Sequence, residues 1–222
     1  MIHEIFNWCD RWCEKCNQTG LCTLHKNSVQ LSPESPEEFL KTLSNIFESA
    51  KKMIKEIVEK RDIDPETLQR SDFEDEYDWK KHLIRKNDGM VLAKKYRKQV
   101  MRWFNSLNDD YGTEVRMQDP MLSDCMEVIL WYQYLFEIKM ARALISQKDA
   151  EEEHSEPYDS LGNAKLLLVS VERNIGAWGY VYQKFKEDED EILDILISLQ
   201  KLGKIVEQVF PEARAFIRPG LD

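Results

Sequence analysis

Residues 119–147, DPMLSDCMEVILWYQYLFEIKMARALISQ, decide the fold. Asp119 and Pro120 read as a helix start, an oxygen-bearing cap followed by a proline whose missing N–H costs nothing in a first turn. Leu122, Cys125, Ile129, Tyr132, Phe136, Met140 and Ala143 then recur at three- and four-residue spacing, one stripe down a helix to about Gln147. Trp131, Leu135, Ile138 and Ile145 add a second apolar side, which predicts a central helix covered on more than one face. Cys125 lies in the stripe and reads as a small buried hydrophobe.

The same period extends outward in both directions. On the C-terminal side, beyond an acidic loop at 149–156, Leu161, Ala164, Leu168, Val171, Ile175, Trp178, Tyr182 and Phe185 keep helical register. Gly176 and Gly179 within it suggest a close backbone approach. A last helix is expected from about Glu187 to Phe210, stopped by Pro211. On the N-terminal side, Lys80 to Arg102 carries nine Lys or Arg against Asp88 alone, interleaved with Leu92, Tyr96 and Val100. Ser35, Pro36 and Glu38 form a capping box for a core helix running to about Lys60. No period-two strand pattern appears. Eight Gly and seven Pro in 222 residues are too few for a hairpin-rich fold. The fold class expected is therefore all-α, an up-and-down helical bundle at 31–222 with a small cysteine-rich segment at 1–30.

The charge of −10 opposes general binding to nucleic acid or anionic membranes. Lys94, Lys95, Arg97, Lys98, Arg102 and Trp103 are thus expected to face solvent or the acidic stretch 72–78 rather than phosphates. No apolar run reaches the roughly 20 residues of a membrane span, and a cytoplasmic protein is expected. In a reducing compartment, clustered thiols point to metal or redox chemistry rather than to disulfides.

Cys9, Cys13, Cys16 and Cys22, four of five cysteines, form such a cluster with the spacing C-x3-C-x2-C-x5-C. Soft thiolates select zinc or iron–sulfur over oxygen-seeking calcium or magnesium. Ile2, Ile5, Phe6, Cys9, Trp12, Cys13 and Cys16 follow helical spacing. On an intact helix Cys9 and Cys16 stand roughly 10 Å apart along the axis, too far for one zinc. That premise favours an iron–sulfur cluster slightly, with zinc as the alternative. If the helix ends early, Cys13-x2-Cys16 with Cys22-x2-His25 makes a zinc pattern and leaves Cys9 as core. Trp8 and Trp12 would keep water from either centre.

The triplet C-x3-C-x2-C resembles the cluster motif of radical S-adenosylmethionine enzymes, but the barrel strands of that family are missing. Together, FNWCDRWCEKC (6–16), EVILWYQYLFEIKMARAL (127–144) and LGNAKLLLVSVERNIGAW (161–178) resemble a group of uncharacterised bacterial helical proteins. That resemblance implies only that the cysteines and two central helices belong together. Only His154, after Glu151, stands three residues beyond a Glu, and a di-iron bundle needs two such pairs. No phosphate loop, nucleophile elbow or HExxH sequence occurs either.

Three functions follow as expectations. One is a metal-binding helical protein whose centre serves a structural, electron-transfer or sensing role. The second is an enzyme with a polar pocket around Glu127, Arg142, Glu172 and Arg173, near Lys139. The third is a module that docks a protein partner without catalysis. Catalytic residues are unassigned.

Overall fold

A computed structural model describes residues 7–30, 35–61, 80–107 and 119–222. The expectations for 1–6, the acidic stretch 62–78 and the break at 108–112 lie outside them. Among the described residues the chain is an all-α helical bundle without strands. Its helices are α1 Thr23–Gln30, α2 Pro36–Arg61, α3 Asp88–Ser106, α4 Pro120–Glu153, α5 Tyr158–Lys184 and α6 Glu189–Val209. Single 3-10 turns occur at Cys13–Lys15 and Lys186–Asp188. The chain divides into two compact units, one of Met1–His3 and Cys13–Lys81, the other of Glu4–Trp12 and His82–Asp222.

In the larger unit α3, α4, α5 and α6 form a closed ring of neighbours, each helix packing on the next and α6 returning to α3. The widest contact joins α4 to α5. Leu122, Met126, Ile129, Tyr132, Phe136, Met140 and Ala143 of α4 are fully buried, against Ala164, Leu167, Trp178 and Val181 of α5. Each fully buried large side chain contributes about 1.5–3 kcal/mol over its exposed state. The expected central stripe is therefore present, with Met126 deeper than Cys125, whose thiol is half-buried. The second side is only partly covered: Leu135 and Ile145 are half-buried, while Ile138 is exposed. Helix α4 runs on past Gln147 and ends at His154, which takes the left-handed conformation at φ 54°.

Local chemistry explains the helix starts. Asp119 accepts from the Leu122 N–H at 3.1 Å with Pro120 following it. Asn87 accepts from the Met90 N–H at 3.2 Å, dividing the expected basic helix into a stretch at 80–86 and α3. Gly176 and Gly179 have open space at their Cα atoms. The close approaches lie instead at Gly89, against Met140, and Gly162, against the Trp8 indole.

In the smaller unit Ser35 caps α2 as the sequence suggests, accepting from the Glu38 N–H at 3.2 Å. Its apolar stripe is present but is not core. Phe39, Leu43, Ile46, Phe47, Ile54 and Ile57 are all exposed. Cys22 is the only buried side chain among those described in this unit.

Candidate metal centre

Residues 8–12 of the cysteine-rich segment form an irregular strap rather than a helix. Asp10 turns back on itself, its carboxylate accepting from the Trp12 N–H at 3.1 Å, and Arg11 takes φ 61°. A left-handed residue interrupts the i to i−4 ladder, so the three- and four-residue spacing of Cys9, Trp12, Cys13 and Cys16 does not build one helix face. The axial separation that argued against a single zinc rests on that intact helix and loses its basis.

Cys13 begins a 3-10 turn, and the Cys16 N–H donates to the Cys13 carbonyl at 3.2 Å. The Cys16 Sγ then accepts from the Gln18 N–H at 3.4 Å, a bond that strengthens as sulfur gains negative charge. Cys22 N–H donates to the Gln18 carbonyl at 3.0 Å, and the Cys22 carbonyl accepts from Lys26 as α1 begins. Cys22 thus stands at the N-terminus of α1. His25 is half-buried in the first turn of α1. Ligand type and local turns suit a soft cation. As they stand, no three His, Cys, Asp or Glu side chains form a ready metal site among the described residues.

Cys9 belongs to the other unit, with a different environment. Burial pushes its thiol pKa up, against the lowering influence of the Arg11 amide and of the Arg11 and Lys139 charges. Lys139 is pulled down by the same desolvation, while its Nζ donates to the Asn7 carbonyl at 3.3 Å and to Asn163 Oδ1 at 3.0 Å. Burial of this kind makes a thiol harder to deprotonate.

What fastens residues 7–12 is polar and aromatic. Asp10 Oδ2 accepts from the Tyr132 hydroxyl at 2.6 Å and from Arg173 at 2.9 Å, and Trp131 Nε1 donates to the Asp10 carbonyl at 3.1 Å. Burial, and then the Asp10 carboxylate, push the Tyr132 phenol up. Trp12 stacks on Trp131 with centroids 5.0 Å apart, and Trp8 meets Phe216 edge-on at 5.4 Å. Arg218 donates to the Trp8 carbonyl at 3.4 Å. Asp10, Tyr132 and Gly162 carry this anchorage and were not singled out from sequence as site residues. The NWCDRW run of polar and aromatic types was its signal.

Three of the charges singled out on the central helices, Arg142, Arg173 and Glu172, are held in ion pairs. Arg142 meets Asp159 at 2.7 Å, Arg173 meets Asp10, and Glu172 meets Arg214 at 2.7 Å. On α3, Arg97 pairs with Glu137 at 2.8 Å and Trp103 is fully buried, while Lys98 and Arg102 face solvent. None of the described helices is long and apolar enough to cross a membrane. The chain matches no family model, no curated protein and no solved structure.

Proposed function

We propose that this chain is a metal-binding helical protein in which Cys13, Cys16, Cys22 and His25 hold one zinc ion. The centre has a structural role. The observation that carries this reading is the turn geometry: Cys13 opens a one-turn 3-10 helix, Cys16 directly follows it, and Cys22 precedes α1. A thiolate pair on a tight turn and a second pair at a helix start suit tetrahedral coordination better than a helical face does. The unit also needs such a centre, because its described side chains bury almost nothing. Small units without a core gain their order from metals, disulfides or association, and metal-binding free energy then acts as folding free energy.

Cys9 is the fourth ligand in the competing arrangement, which keeps all four thiols and admits an iron–sulfur cluster. Its burial among residues of the other unit supports leaving it out. Anaerobic purification, metal analysis and an absorption spectrum test the reading. Colourless protein with one zinc per chain is the expected outcome. Iron with labile sulfide would establish the cluster instead, and a metal-free folded protein would remove both. His25→Ala and Cys22→Ser should each lower occupancy, with Cys9→Ser leaving it unchanged. Loss of metal in Cys9→Ser together with full retention in His25→Ala would transfer the fourth position to Cys9.

A further inference from the structure

Helix α2 presents an apolar face that its own unit leaves bare. Phe39, Leu43, Ile46, Ala50, Met53 and Ile57 follow an unbroken four-three alternation over 19 residues, the a/d repeat of a coiled coil. Leu40, Phe47 and Ile54 lie one residue after three of these positions and widen the seam into an apolar band. Its large side chains retain between 43% and 66% of their full exposure. An isolated band of this kind on a water-facing helix marks a contact surface. Eight such side chains, half exposed, offer on the order of 700 Å² per helix, close to the ~800 Å² per partner of a standard stable interface.

We infer that α2 pairs with α2 of a second copy of this chain, antiparallel about a two-fold axis near residue 48. A two-fold contact must be self-complementary, and this band is. In the antiparallel register Phe39 faces Ile57, Leu43 faces Met53 and Ile46 faces Ala50, so the small residue receives a large one in the central layers. In a parallel pair Ala50 would face Ala50 and leave a hole. The flanks agree with the same register. Phe47 meets its own copy near the axis, while Thr42, Ser49 and Glu56 line the other edge without bringing like charges opposite one another. Lys41, Glu48, Lys51, Lys52 and Lys55 stay off the seam, and antiparallel macrodipoles attract.

Sedimentation of the full chain between low and high micromolar concentration tests this. The expected mass is twice the 26.3 kDa of one chain. Leu43→Glu and Met53→Lys should each weaken association by at least about tenfold, a change of roughly 1.4 kcal/mol. Far-ultraviolet circular dichroism at high concentration checks that the bundle of α3 to α6 persists in both. Carrying both changes on one chain should restore the dimer, because residue 43 then faces 53 of the other copy with opposite charge. In a parallel pair each charge would meet its own kind. A monomer at all concentrations overturns the inference, and so does a dimer indifferent to the single changes or a double variant that stays monomeric.

Discussion

Tyr96 is fully buried, with its hydroxyl engaged on both sides. It donates to Asn174 Oδ1 at 2.6 Å and accepts from Trp178 Nε1 at 3.1 Å, while Asn174 Nδ2 donates to the Ser170 carbonyl at 3.0 Å. Burial pushes the Tyr96 phenol far up, so the hydroxyl keeps its proton and its role as a donor throughout the neutral range. This chain of polar groups ties α3 to α5 inside an otherwise apolar core, where an unpartnered donor or acceptor is costly. Tyr96→Phe keeps the ring and removes the oxygen, leaving both Asn174 Oδ1 and Trp178 Nε1 short of a partner. It should cost about 1–3 kcal/mol, read as a lower urea midpoint at unchanged slope. A variant as stable as the parent would mean that the hydroxyl contributes nothing to the core. Asn174 was invisible to a search for apolar periodicity, because that search scores a buried amide as a surface residue.

At the scale of elements, the strap 7–12 differs most from the sequence reading. Its aromatic and thiol residues do recur at helical spacing, but the Asp10 turn and left-handed Arg11 outweigh that periodicity. The long helices were legible because ten or more residues repeat one pattern, and the Ser35 and Asp119 starts were legible because cap chemistry is local. What covers each stripe was not, since burial depends on partners that a single helix does not specify. Thus α4 is core along its stripe while α2, read with equal force as core, is bare. The strap also shows where a glycine is required. A Cβ at Gly162 would enter the Trp8 indole ring itself, which is no flexible chain end. Gly162→Ala should therefore displace Trp8 from Phe216 and loosen residues 7–12, despite the ~1 kcal/mol by which alanine ordinarily favours a helix interior. Faster amide exchange at 8–12, with α5 still protected, is the expected result. Unchanged exchange there would show that Trp8 adapts without leaving.

Taken whole, the chain combines a unit with a packed core and a unit whose described side chains bury only Cys22, so the two should answer different perturbations. On the proposed zinc reading chelation should bear on the second, whereas acid bears on the first. Burial works to raise Asp159, but hydrogen bonds from Ser146 at 2.5 Å and Arg142 at 2.7 Å prevail and hold its carboxyl below the usual range. Asp222 is lowered in the same way, with burial opposed by its bonds to Arg218. A carboxyl whose folded pKa is depressed binds protons less tightly folded than unfolded. Its contribution is complete above the unfolded value of about 3.9 and is lost as pH falls through the folded value. The urea midpoint of the bundle should consequently be insensitive to these two groups from pH 7 to 5 and should drop below pH ~4. Asp159→Asn should lower the midpoint at pH 7 and lessen the decline below pH 4, because the variant has no proton to take up at that position. Parallel pH curves for parent and variant would count against the Asp159 bonds as a source of acid lability. The surface exposure of Arg142, 62% at the side chain, keeps that contribution modest, since solvent screens the pair.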